Sequence, residues 1–166
     1  MNKKILSEQA LYYGEVSMPK DFEIDSNELR ANILECSINN TKHKFSKNWD
    51  KLNNYIAENM YLKYKLKLRQ KRSWGNVYNA KSNTPPLLEV DLMNPNDSCD
   101  FVLLYGVNLQ DCLVKIYYDD NRVKGQSWDI ELLNNMFIMF PSTNTYHITN
   151  NSEEINYVQT ITYESL

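Results

Sequence analysis

From about residue 63 onward, short apolar segments alternate with turn signals, and this pattern limits the possible folds more than any other feature of the chain. Asparagine, aspartate, serine and proline cluster between the segments, as they do in turns. Many short strands at this spacing are typical of an all-β sandwich, jelly roll or barrel. The predicted strands are Ser73–Asn79, Leu87–Leu92, Phe101–Val107, Cys112–Tyr118, Trp128–Leu133, Phe137–Phe140, Tyr146–Ile148 and Tyr157–Tyr163.

The residues before this β region carry helix signals. Asp25 or Ser26 can cap a first helix, whose apolar residues recur at spacings of three to five. A second helix is predicted after Ser46, because one apolar stripe follows with the three/four spacing of a buried helix face. The segment Tyr12–Val16 is interpreted as a short strand closed by a proline.

The chain has 166 residues, which is enough for one domain and too few for two full cores. We therefore predict a single, mainly β (α+β) domain. Residues 1–62 form a strand and helical cap in which a pair of helices packs on one face, and residues 63–166 form the β core.

Histidine and cysteine are scarce, and this limits the metal sites that the chain can build. The two histidines are His43, in a polar loop, and His147. The three cysteines are widely spaced and odd in number, so they indicate neither a disulfide framework nor a zinc knuckle. No apolar run approaches the about 18 residues of a membrane span, and the basic N-terminus lacks the apolar region of a secretion signal. The expected protein is neither secreted nor membrane-spanning.

Six of the 18 basic residues lie within residues 63–72, and in the first part of this stretch they alternate with apolar residues. The alternation predicts a strand that begins at about residue 63, with one basic face and one apolar face. Lysines can protect an edge strand from aggregation, or they can dock an acidic partner or a nucleic acid. Because the chain has a net charge of −3, an edge strand or a protein interface is favoured over nucleic acid. The interface candidates are Lys63, Lys65, Lys67, Arg69, Lys71 and Arg72.

The C-terminal stretch contains the most informative motif. An apolar strand ends in Phe140-Pro141-Ser142, four residues follow, and His147 then begins a new strand that precedes a strong closing strand. This order resembles the last strands of the 2-oxoglutarate- and Fe(II)-dependent oxygenases, and especially the short oxygenase-like proteins of tailed phages. Upstream, Ser73–Tyr78 and Phe101–Val107 are similar to the first and central core strands of that family. The resemblance implies a double-stranded β-helix, or jelly roll.

In that family, two histidines and a carboxylate hold Fe(II). His147 corresponds to the distal histidine. The other two ligands come from an H-x-D/H pair between the first and central strands, but residues 85–96 contain no histidine. One alignment places Leu92 and Asn94 at the ligand positions. The other places Glu89 and Asp91 there, although a solvated acidic face is the simpler interpretation of these two carboxylates.

The residue that binds the cosubstrate is missing as well. The family uses an arginine at the start of the closing strand, and this chain has Asn156 and Tyr157 there. The resemblance therefore extends to the fold but to few of the catalytic residues, and we expect no catalytic residue, no metal and no cofactor.

Three functional hypotheses follow from this resemblance. The leading one is a non-catalytic jelly-roll protein of a phage particle, in the neck, tail or head decoration, located in the virion or the host cytoplasm and bound to other particle proteins or to copies of itself. The second is an active, atypical oxygenase that uses Fe(II) and 2-oxoglutarate with His147, Glu89 and Asp91. The third is a cupin-like module that binds a small ligand in a wide pocket between the sheets.

Overall fold

Two antiparallel sheets and two helices make up the fold in a computed structural model, which describes residues 9–18, 23–41, 46–90, 93–94, 98–119 and 125–166. The helices are α1 (Ser26–Asn39) and α2 (Lys47–Tyr64). The strands are β1 (Tyr12–Glu15), β2 (Leu68–Tyr78), β3 (Ser82–Asn83), β4 (Phe101–Asn108), β5 (Cys112–Asp119), β6 (Gln126–Glu131), β7 (Met136–Pro141), β8 (Tyr146–Asn150) and β9 (Asn156–Ser165).

The strands form one sheet of five, in the order β1-β7-β4-β9-β2, and one sheet of four, in the order β3-β8-β5-β6. Neighbouring strands are antiparallel throughout. The chain passes repeatedly from one sheet to the other, so most neighbours within a sheet are distant in sequence. This arrangement confirms the predicted double-stranded β-helix.

Both helices begin where their capping residues predict. The Asp25 side chain accepts hydrogen bonds from the backbone N–H groups of Asn27 (2.9 Å) and Glu28 (3.1 Å) at the start of α1. The Ser46 hydroxyl accepts one from the Trp49 N–H (3.3 Å) at the start of α2. These bonds satisfy N–H groups that have no partner within a helix.

The apolar stripe of α2 is buried as predicted, but the helix is longer than the sequence pattern indicates. It ends at Tyr64, and Lys65 terminates it in the left-handed conformation with a φ of 59°. The strand that was predicted to begin at residue 63 begins at Leu68 instead, and the predicted basic face is therefore divided between a helix end, a connection and a strand. The predicted division of the domain between residues 62 and 63 stays a prediction.

Strand β2 lies at the edge of the five-stranded sheet, as predicted, and the role of the basic residues that it contains stays a prediction. It pairs with β9, and the register shifts between Gln70 and Arg72. Charged side chains and such irregularities are common protections of exposed strand edges.

The predicted strand Leu87–Leu92 does not form in the described part of the chain. Leu87 makes an isolated bridge to Tyr146, and β3 lies slightly upstream, where a turn was predicted. Pro85 and Pro86 follow this short strand, and since proline has no N–H to donate, they prevent the strand from continuing.

Two apolar cores result from this layering. The helices pack on one face of the five-stranded sheet and form what we call the helix–sheet core. The other face packs on the four-stranded sheet and forms the inter-sheet core. Successive β4 residues alternate between the two cores, with Val102 and Leu104 in the inter-sheet core and Leu103 and Tyr105 in the helix–sheet core.

Neither α1 nor α2 is long and apolar enough to cross a membrane, and no other helix occurs among the described residues.

Candidate functional site

The Phe140-Pro141-Ser142 motif forms the corner between β7 and β8. The Ser142 N–H donates a hydrogen bond to the carbonyl of Asp100 (2.8 Å), and its hydroxyl donates one to the carbonyl of Cys99. The N–H of Asn144 closes the turn by bonding to the carbonyl of Pro141 (3.0 Å). The corner is thus attached to the start of β4, which fixes the position where β8 begins.

His147 faces away from the space between the sheets. Side chains alternate along β8, and Tyr146 and Ile148 are each 1% exposed, which places His147 on the outer face of the four-stranded sheet. Its Nδ1 lies 3.0 Å from the carbonyl oxygen of Thr84. Its ring meets the ring of Tyr117 edge-on, with 5.5 Å between centroids. These contacts make His147 a structural residue of the outer sheet face.

Tyr146 takes the inward position at the start of β8. Its hydroxyl donates a hydrogen bond to Oε1 of Glu89 (3.0 Å), and its ring packs edge-on against Phe140, with 5.2 Å between centroids. Burial raises the pKa of the Tyr146 phenol well above its usual value, and the neighbouring Glu89 raises it further. The phenol therefore stays protonated and acts as a hydrogen-bond donor to the carboxylate.

Of the three residues that an atypical oxygenase site would need, the structure describes His147 and Glu89, and it does not bring these two together. Glu89 contacts Tyr146, whose neighbour His147 points to the opposite face of the strand. Asp91 lies outside the described residues, as does His43. Within the ranges described above, no three histidine, cysteine, aspartate or glutamate side chains are grouped so that they could hold a metal ion.

The closing strand β9 has structural contacts where the family pattern requires an arginine. The Asn156 side chain bonds to both the N–H and the carbonyl of Gln110 (2.8 and 2.9 Å). Tyr157 packs towards the helices, with the Arg30 guanidinium 5.9 Å from its ring centroid. The next inward position is Val158, which is fully buried.

Another arginine, Arg69, lies away from this position. Arg69 is exposed and pairs with Glu164 (2.5 Å) at the far end of β9. Arg122 lies outside the described residues.

Comparison with known proteins identifies the fold. The chain has a TM-score of 0.62 to a prolyl-4-hydroxylase from Pseudomonas putida, over 94% of this chain and 85% of that one, at 12% identity. A Trichoplax adhaerens prolyl hydroxylase, in complex with a hypoxia-inducible-factor peptide fragment, has a TM-score of 0.62 over 93% and 83%, at 10% identity. A collagen prolyl hydroxylase from Paramecium bursaria Chlorella virus 1 gives 0.58 over 93% and 97%, at 12% identity.

This is the fold of the 2-oxoglutarate/Fe(II)-dependent oxygenases. The resemblance found in the sequence is therefore confirmed at the level of the fold. No family model and no curated protein matches the chain. At such low identities the likeness carries the architecture only, because function depends on the residues of the site.

The described residues do not fit the Fe(II) and 2-oxoglutarate of the oxygenase fold. The inward side chain at the start of β8 is a protonated phenol rather than an imidazole. The inward side chain near the start of β9 is the apolar Val158, which cannot pair with a carboxylate. Such a site would therefore lack the distal metal ligand and the cation that binds the cosubstrate.

Among the described residues, many apolar side chains pack between the sheets. Ten of them, on five different strands, are at most 1% exposed: Val102, Leu104, Cys112, Val114, Ile116, Ile138, Phe140, Tyr146, Ile148 and Val158. A cavity of about 280 Å³ adjoins this core, and it is lined by Ile116 together with Tyr118, Trp128 and Asn144. The hypothesis of a wide ligand pocket between the sheets stays a hypothesis.

Burial of ionisable groups predicts a loss of stability at alkaline pH. Burial raises the pKa of the Cys112 thiol from 9.0 to about 12, with a smaller contribution from Asp111. Because the folded pKa is the higher one, this stabilisation is fully present below pH 9 and is lost as the pH rises towards about 12. We expect the free energy of unfolding, measured by urea titration, to fall across this window. For the Cys112→Ala variant, the free energy of unfolding should fall less steeply with pH from pH 9 upward. Equal pH dependence in the wild-type protein and the variant would contradict the raised pKa of Cys112.

Sequence reasoning missed the pair formed by Tyr146 and Glu89. The available signal was the apolar residue Ile148, since residues two apart share a face of a strand. If Ile148 is placed in the core, Tyr146 lies inward and His147 outward. A one-residue change of register moves every side chain of a strand to the other face.

Proposed function

We propose that the chain uses the oxygenase fold as a non-catalytic interaction module and that it serves as a structural or assembly component of a phage particle. The observation that supports the first part most directly is the inward Tyr146, which is held by Glu89 and Phe140 at the position where an oxygenase needs its distal histidine. Because apolar side chains pack the interior of this jelly roll, we place its function on the outer surface.

The phage part of the proposal rests on the resemblance to short oxygenase-like phage proteins. Its partners would be other proteins of the particle or copies of this chain, in the neck, tail or head decoration. Exposed aromatic and aliphatic side chains are compatible with such contacts, because they are costly to leave in water and are frequent at interfaces. Tyr13, Tyr64 and Leu62 are each more than half exposed.

Turnover assays test the non-catalytic part. When the protein is supplied with Fe(II) and 2-oxoglutarate, we expect no succinate above the buffer blank, and the His147→Ala variant should behave identically. The reason is that His147 bonds to the carbonyl of Thr84 on the outer sheet face and is not available to a metal in the interior. A prolyl-4-hydroxylase with its substrate serves as the positive control.

Succinate formation that disappears in His147→Ala or Glu89→Ala would overturn this proposal in favour of an atypical oxygenase. The assembly part has its own test, which is mass spectrometry of purified particles from an infected host. Consistent absence of the chain from those particles would refute a virion role.

A further inference from the structure

Three of the basic residues form a surface with two tyrosines at the end of α2. We call this surface the lysine–tyrosine patch, and it consists of Tyr61, Lys63, Tyr64, Lys65 and Lys67. The ammonium groups of Lys65 and Lys67 lie 5.6 and 5.9 Å from the centroid of the Tyr61 ring. Cation–π attraction at these distances holds both lysines near one another.

A small groove adjoins the patch between α2 and β1. Its volume is about 70 Å³, and Lys63 stands at its side together with one acidic residue, Glu15. The rings of Tyr12 and Tyr64 are in contact, with 4.9 Å between centroids. The aromatic residues that line the groove are Tyr12, Tyr13, Tyr55, Tyr64 and Phe137.

Helix stability explains only part of this arrangement. Lys63 lies in the last turn of α2, where a cation interacts favourably with the helix dipole, and Lys65 terminates the helix. Lys67 lies beyond that turn, and the dipole gives no reason for exposed apolar side chains nearby. Tyr61, Leu62 and Tyr64 are 45%, 59% and 57% exposed.

We propose that the lysine–tyrosine patch binds an acidic segment of a partner protein, with carboxylates at the lysines and one apolar side chain in the groove. The inference rests on the non-catalytic function proposed above and names the chemistry of the partner. Tyrosine at the centre of a contact and charge at its rim is the usual composition of a protein interface.

The observations favour a protein over a nucleic acid. Without the three patch lysines the chain has 15 basic and 21 acidic residues, a balance of −6 that repels a long polyanion. The groove is also far smaller than the about 300–1,000 Å³ of typical small-molecule sites, which suits the end of a side chain. Strand β1 forms the edge of its sheet, so an extended segment can approach it from the side.

Fluorescence anisotropy with defined probes tests this inference. The main probe is a labelled peptide of alternating glutamate and leucine. The comparison probes are a lysine–leucine peptide and an oligothymidylate of the same charge as the acidic peptide. We expect the acidic peptide to bind most tightly, with an affinity that falls as salt is added.

Two sets of lysine variants with equal charge change localise the binding. Replacing Lys63, Lys65 and Lys67 with glutamine should weaken the binding of the acidic peptide roughly tenfold. The expected loss is moderate because each exposed ion pair contributes little by itself. The matched control replaces Lys51, Lys81 and Lys115 with glutamine and should change the affinity less than about twofold, because these lysines lie elsewhere and only the long-range charge is altered. Tyr64→Ser should weaken binding without changing charge.

Undiminished binding by the patch variant, or equal losses in the two lysine variants, would refute the patch as the binding surface. Tighter binding of oligothymidylate than of the acidic peptide at the same salt would refute the protein partner in favour of a nucleic acid. The succinate assay on the same preparations separates the two proposals: turnover refutes the non-catalytic function, whereas a failed peptide experiment without turnover refutes only the patch.

Discussion

Replacing Phe140 with alanine is expected to lower the free energy of unfolding by about 4 kcal/mol, because a buried phenylalanine is exchanged for a cavity. Phe140 is fully buried in the inter-sheet core and packs edge-on against Tyr146. The loss would be measured by urea denaturation at neutral pH. The variant bears directly on the proposed function, since Phe140 holds the inward Tyr146 in the inter-sheet core.

Two further variants serve as controls for the effect of Phe140→Ala on stability. Phe140→Leu retains most of the side-chain volume and should lose clearly less stability than Phe140→Ala. Leu133→Ala removes an exposed side chain and should change stability by less than about 0.5 kcal/mol. If Phe140→Ala were as mild as Leu133→Ala, the inter-sheet core would not be tightly packed around Tyr146.

The helix starts and most strands could be predicted because their causes are local. Asp25 and Ser46 each have a side-chain oxygen that bonds to a backbone N–H two or three residues later, so the cap can be read from a few neighbouring residues. The strands of the inter-sheet core are short apolar runs bounded by turn residues, and both signals are also local.

The boundary between α2 and β2 could not be predicted from alternation. Residues 63–69 alternate between basic and apolar side chains, which is the period of a strand. The helix nevertheless continues to Tyr64, because its stripe from Trp49 to Met60 is buried against the sheet and Lys65 can adopt a left-handed conformation. Burial of a helix face outweighed a pattern in exposed side chains, whose periodicity carries little energy.

Which side chain faces the interior at the start of β8 depends on the register of that strand, and a shift of one residue exchanges Tyr146 and His147. The motif before β8 was recognised correctly, and the fold that it implied is confirmed, yet the inward side chain is Tyr146 and not His147. A motif spacing fixes neither the phase of a strand nor which face is buried. The apolar Ile148 indicates that phase, and the packing of Tyr146 against Phe140 and its bond to Glu89 establish it.

Replacing Gly75 with alanine is expected to destabilise the protein by about 3 kcal/mol, at the upper end of the range for overpacked cores. A Cβ at Gly75 would lie 2.5 Å from Cα and 2.7 Å from Cβ of Ile33, so it would meet the backbone of α1 and not a flexible side-chain end. Helix α1 would have to move away from β2. The melting temperature should fall by roughly 10 °C, given the about 2–4 °C per kcal/mol of chains of this size. Gly14→Ala is the matched control, because its nearest contact would be Phe137 Cε1 at an ordinary 3.7 Å. If the Gly75→Ala and Gly14→Ala variants had the same melting temperature, α1 would not be packed closely on this sheet. The helical cap would then not be fixed by backbone contact.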